Sequence, residues 1–121
     1  MISGKSIRQI LCLVLKSKVL IVTGTDDETR TIKHEIADFA RKYISSELNV
    51  HVHSEGVNVG ALDPILVFSL KKWNDIKRAY PFGGIVLVTD KNMSNIKNIA
   101  NNTKKLFLPT ERREQNAAET Y

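Results

Sequence analysis

Two short runs constrain this chain more than any other feature: Val19-Leu20-Ile21-Val22 and Ile85-Val86-Leu87-Val88. Each is continuously apolar and rich in β-branched side chains, with no alternation. A strand with one wet face alternates polar and apolar residues, whereas a strand covered on both faces has no need to. Both runs therefore predict central strands of a parallel sheet held between helices. The stretches around and between them carry helical periodicity and turn signals. That alternation is the pattern of an α/β domain with right-handed crossovers.

The helices and remaining strands follow from spacing and caps. Ile7, Ile10, Leu11, Val14 and Leu15 form one apolar stripe, which predicts an amphipathic helix over Ser6–Leu15, ended by Lys16-Ser17-Lys18 and packed on the domain. Lys5 and Arg8 before the run Ile10–Leu15 imitate a signal peptide only faintly, because the run is short and lysines follow it where small residues belong. After the first strand, Thr25 with Glu28 three residues on is a capping-box signature, and Asp26 and Asp27 suit the positive end of a helix dipole. The helix they open places Ile32, Ile36, Phe39, Ala40 and Tyr43 on one face and should end near Ser45-Ser46. Asn49–His53 alternates and predicts a strand, expected to be parallel, with Ser54–Gly60 as loop. Asp63-Pro64 is a helix start, with Asp as N-cap and Pro at the first helical position. Leu66, Leu70, Trp73 and Ile76 then predict a helix to about Ala79 that takes in Ile65–Phe68 and buries Trp73. Pro81-Phe82-Gly83-Gly84 breaks the chain before the second apolar strand. Ser94 caps a helix carrying Ile96, Ile99 and Ala100 inward, and Leu106-Phe107-Leu108 is the last strand.

Residues 1–18 are thus expected as the N-terminal helix and 19–108 as the α/β domain. Residues 109–121, without apolar period, are expected as a flexible tail. The expected architecture is a three-layer α-β-α arrangement around a small, mostly parallel four-stranded sheet. At 121 residues and 42% hydrophobic content, one core can form without metal or disulfide. The single cysteine, Cys12, excludes a disulfide framework and a cysteine zinc site within one chain, and is expected as a buried packing thiol. No apolar run approaches the roughly 20 residues of a membrane span, and a cytoplasmic location is the expectation.

In parallel sheets, ligand sites lie beyond the carboxyl ends of the strands. Thr23–Asp27 and Thr89–Asn92 are therefore the privileged loops. Asp26, Asp27 and Asp90 would converge there if their strands are neighbours, and such hard oxygen ligands are how Mg²⁺ is held beside substrate phosphates. The same residues equally serve as helix cap and turn former.

At these two segments the chain resembles the TOPRIM family. Val-Leu-Ile-Val-Thr-Gly-Thr-Asp-Asp, Val19–Asp27, looks like the family's strand followed by Glu-Gly-x-x-Asp, and Ile-Val-Leu-Val-Thr-Asp-Lys-Asn, Ile85–Asn92, looks like its strand ending in Asp-x-Asp. The likeness extends over roughly residues 5–108 and is greatest to small stand-alone TOPRIM proteins and to the TOPRIM part of ribosomal-RNA maturation nucleases. It implies a four-stranded parallel sheet and a Mg²⁺-dependent role on nucleic-acid phosphodiesters. Asp27, Asp90 and Asn92 would be the metal positions. Two departures matter: Thr23 stands where the family has its glutamate and Asn92 where it has its second aspartate. A threonine hydroxyl is no base near neutrality, an asparagine brings no charge, and Lys91 adds a cation. The resemblance therefore implies a degenerate, non-catalytic domain with no cofactor or only weak Mg²⁺. A strand at Ile65–Phe68 would be incompatible with the TOPRIM arrangement expected here.

Net charge is +5, which suits an acidic partner. The leading expectation is a pseudoenzyme that binds nucleic acid or a nucleic-acid-processing partner through Lys71, Lys72, Lys77, Arg78, Lys91, Lys97, Lys104 and Lys105, with Lys71, Lys72 and Arg78 roughly on one side of one helix. The alternatives are a Mg²⁺-dependent nuclease or phosphoryl-transfer enzyme using Asp26, Asp27 and Asp90, and a protein–protein adaptor. His51 and His53 share one strand face and could ligate a metal, but no third ligand is evident.

Overall fold

β1, Val19–Thr23, occupies an interior position in a six-stranded mixed sheet of order β2-β3-β4-β1-β5-β6. The computed structural model describes residues 2–76, 83–90 and 104–110. Helix α1, Gly4–Val14, precedes β1. Helix α2, Asp26–Phe39, follows it and continues into a single π-helical turn, Ala40–Ile44. A hairpin of β2, Val50–His53, and β3, Gly56–Val59, leads to β4, Ile65–Ser69. Helix α3, Leu70–Ile76, then β5, Ile85–Val88, and β6, Lys104–Phe107, complete the described elements.

The two apolar runs are adjacent parallel strands, with Val19 opposite Ile85 and Val22 opposite Val88. Both faces of β1 are covered, and all five of its residues are buried. Val19 and Ile21 face a layer built from α1 and α2, where Ile10, Ile32 and Ile36 are fully buried. Leu20 and Val22 face the opposite layer with Phe68, Val86 and Trp73 of α3. Trp73 is fully buried, as its spacing predicts.

Several expectations are corrected. Ile65–Phe68 is strand, pairing in parallel with Val19–Val22, and helix begins only at Leu70. Ile65 and Val67 fill one core while Leu66 and Phe68 meet the other, so four successive apolar side chains are all used. A helix would have turned part of that run toward water. Leu70 and Trp73 do belong to a helical face, and their period carries over from the adjoining strand only by coincidence of spacing. Gly56–Val59 is strand rather than loop, so β2 runs antiparallel to β3 at the sheet edge instead of parallel within it. Gly56 is required by the pairing of β3 with β4: a Cβ there would overlap the backbone oxygen of Ile65. The sheet has six strands rather than four, with β4, β1, β5 and β6 as its parallel part. The strand at Ile65–Ser69 runs against the TOPRIM arrangement, and that resemblance is left with its two strand-and-loop segments alone.

Cys12 is exposed rather than buried. It lies across the helix from Ile10 and one position beyond Leu11, outside the buried stripe of Ile7, Ile10, Leu11 and Val14. The expected helix with Ser94, Ile96, Ile99 and Ala100, the positions Lys77, Arg78, Lys91, Asn92 and Lys97, and residues 111–121 lie outside the described residues.

Candidate functional site

The strand order fixes where a ligand crevice belongs. From β1 the chain crosses to β4 on one side, then returns past β1 to β5 on the other. The order therefore reverses between the carboxyl ends of β1 and β5, the position at which doubly wound sheets open a crevice. Thr23–Glu28 and Thr89–Asp90 stand there, as the sequence predicts.

The capping box forms. Thr25 is the N-cap of α2 in extended conformation, and its Oγ1 accepts from the Glu28 N–H at 3.1 Å. The Glu28 carboxylate returns one residue further than the usual box, accepting the Gly24 N–H at 3.0 Å through Oε1. The same Oε1 also accepts the Thr89 hydroxyl at 2.8 Å. Glu28 thus ties the loop after β1 to the loop after β5, across the point where the sheet reverses.

Below it lies a hydroxyl network. Thr23 is fully buried, and its Oγ1 stands 2.9 Å from the Thr25 carbonyl and 2.6 Å from the Thr29 hydroxyl. The Thr29 Oγ1 is 3.1 Å from the same carbonyl. Each hydroxyl has one proton, so the two cannot satisfy all three contacts at once. In either arrangement one bonds the carbonyl and the other bonds its neighbour's oxygen. Thr23 therefore serves as an internal brace.

The carboxylates do not gather as a metal site would require. Asp27 is ion-paired with Arg30 one helical turn on, and both side chains are largely exposed. Asp26 is exposed, and Asp90 is half-buried at the end of β5. No group of three His, Cys, Asp or Glu side chains able to hold a metal occurs among the described residues. Asn92 lies outside those residues.

In the histidine pair, His53 is hydrogen-bonded through both ring nitrogens. His51 and His53 stack with ring centroids 5.7 Å apart. The His53 Nδ1 accepts the Glu55 N–H at 3.3 Å, and its Nε2 lies 3.1 Å from the Asn58 Oδ1. Nδ1 as acceptor makes Nε2 the protonated nitrogen that donates to Asn58, so His53 offers no lone pair to a metal.

The basic positions separate into two regions. Lys71 and Lys72 are exposed in the first turn of α3, at the carboxyl end of β4. Lys104 and Lys105 are exposed at the start of β6, the opposite end of the parallel strands and three strand positions away, roughly 14 Å. At that amino end the fold adds two lysines that the sequence reading did not single out. The Lys18 carbonyl accepts the Ile85 N–H at 2.9 Å, and the Gly84 carbonyl accepts the Lys104 N–H at 3.0 Å. The register sets Val19, Ile85 and Lys104 level across the three strands, so Lys18 lies one residue before that row at the same end of the sheet, with exposed Lys16 just before. The sequence signal was Lys16-Ser17-Lys18 next to a buried strand, read only as a helix terminator.

Lys33 was also not singled out. It is buried on α2, and its Nζ donates to the His53 and Ser54 carbonyls at 2.9 and 3.0 Å, clamping the β2–β3 turn onto the helix. Desolvation by burial pushes its ammonium below the ordinary lysine range. No helix among the described residues is long and apolar enough to cross a membrane. Comparison with protein-family models, curated proteins and solved structures finds no match for this chain.

Proposed function

We propose that this chain is a non-catalytic α/β domain that binds nucleic-acid backbone, or a nucleic-acid-processing partner through the same charge. The observation that carries this reading is the lysine strip at the amino ends of β1 and β6: Lys16, Lys18, Lys104 and Lys105 are all exposed, and no carboxylate stands within residues 16–18 or 104–108. Ammonium groups on such a strip meet phosphates as point charges and release counterions, and they read no sequence. The crevice supports the non-catalytic part. Its anion position at the α2 N-terminus is filled by Glu28, its hydroxyls bond one another, and Asp27 is turned to Arg30. Any Mg²⁺ binding through Asp27, Asp90 and Asn92 is proposed to be weak, because two of the expected ligand charges are missing.

The test is a fluorescence-anisotropy titration of DNA and RNA duplexes over a range of salt. Four phosphate contacts give a log–log salt slope of about −3 to −4. Replacing Lys16, Lys18, Lys104 and Lys105 by alanine should flatten that slope and weaken all sequences alike, while replacing Lys71 and Lys72 should change it less. No binding at about 50 mM salt would end the nucleic-acid reading, since the electrostatic contribution is largest there.

A further inference from the structure

A groove of about 570 Å³ runs between α1 and the β5–β6 edge of the sheet, on the side opposite α3. Its floor is apolar, from Ile10, Leu13, Leu87 and Leu106, and Phe107 flanks it at 44% exposure. Its ionisable rim is of one sign, with Lys5 and Arg8 both exposed and no carboxylate among its described lining residues. That bias is a property of the chain: no Asp or Glu occurs in residues 1–25.

We propose that this groove docks an amphipathic helix of a partner protein, with leucine-like side chains on one face and carboxylates along its flanks. An apolar trough of this size accepts the i, i+3, i+4, i+7 side chains of such a helix. The basic rim then selects acidic flanks and rejects basic ones. The two nearer occupants fit worse. A second copy brings its own Lys5 and Arg8 against the same positive rim. Residues 111–121, Glu-Arg-Arg-Glu-Gln-Asn-Ala-Ala-Glu-Thr-Tyr, contain no aliphatic side chain larger than alanine with which to fill the floor. This inference stands apart from the nucleic-acid reading, which uses the amino-end lysines.

The chain's single cysteine supplies the measurement, because Cys12 is exposed and lines the groove. The rate of its reaction with a disulfide reagent is followed while a synthetic peptide of ~15 residues is added, bearing leucine on one helical face and glutamate elsewhere. A helix seated in the groove shields the thiol, and saturating peptide should slow the reaction about tenfold. The same peptide with lysine for glutamate should leave the rate unchanged. Lys5→Glu with Arg8→Glu, both at exposed positions and with retention of the fold checked by circular dichroism, should weaken protection about tenfold. Four results overturn the proposal: no protection by the acidic peptide, equal protection by the basic one, protection by duplex DNA in place of peptide, or a Cys12 already shielded in the isolated protein. The last would assign the groove to a second copy if shielding rises with protein concentration, and to the chain itself if it does not.

Discussion

Replacing Glu28 by alanine tests the bridge that closes the crevice. Its Oε1 accepts the Gly24 N–H at 3.0 Å and the Thr89 hydroxyl at 2.8 Å, and both bonds are lost at once. Hydrogen bonds to charged groups contribute about 1.5–3 kcal/mol when well buried. Glu28 is only half-buried and the Gly24 contact is exposed, so about 1 kcal/mol apiece is the appropriate scale. The expected loss is about 2 kcal/mol, or roughly 8 °C in Tm for a domain of this size. Glu28→Gln keeps an oxygen acceptor without the charge and should lose about half as much. The alanine variant also leaves the Gly24 N–H and the Thr89 hydroxyl open at a helix N-terminus, where anions are favoured. Sulfate should therefore stabilise Glu28→Ala more than the parent protein, the parent serving as control for general salt effects. Urea unfolding followed by the single buried tryptophan, Trp73, reads all three proteins. If Glu28→Ala falls within about 0.5 kcal/mol of the parent, the two contacts do not hold the crevice and the argument fails.

Gly56→Ala places a Cβ on the Ile65 carbonyl oxygen and should abolish the β3–β4 pairing, costing more than about 3 kcal/mol or preventing folding; a urea midpoint near that of the parent would show that the strands can part without loss. Lys33→Met keeps the buried stem but removes both bonds to the β2–β3 turn, and about 2 kcal/mol should be lost in the same urea measurement. Lys33 also predicts a pH dependence: its folded pKa lies below the ordinary lysine value of 10.5, so between the two values the unfolded chain holds more protons and parent stability should rise with pH. The Lys33→Met protein, compared from neutral pH to about 10.5, should lack that rise, and identical pH profiles would remove the desolvation argument. Calorimetric titration with Mg²⁺ should give binding no tighter than about millimolar, and low-micromolar affinity lost in Asp90→Ala would restore the nuclease alternative.

Sequence alone determined the local features whose cause is local. Val19–Val22 and Ile85–Val88 are buried strands because eight apolar side chains without alternation leave no solvent face to either strand. Thr25 and Glu28 form their cap because the groups concerned lie within one helical turn. The two loops at the strand ends were legible for the same reason, and the strand order then brought them to one crevice. The tertiary structure decided what spacing leaves ambiguous. Ile65–Phe68 satisfies a helical period as well as a strand's, and only the availability of two covering layers, with Val19–Val22 as partner, resolves it. Gly56–Val59 looks like loop until the Ile65 backbone stands against Gly56. The bond from Thr89 to Glu28 spans 61 residues, and Lys18 and Lys104 reach the same end of the sheet only through β5 between their strands. Such contacts depend on which strands lie side by side, a choice made by burying the whole chain at once. The separation of Lys71 and Lys72 from Lys104 and Lys105 was therefore invisible in the one-dimensional order of residues.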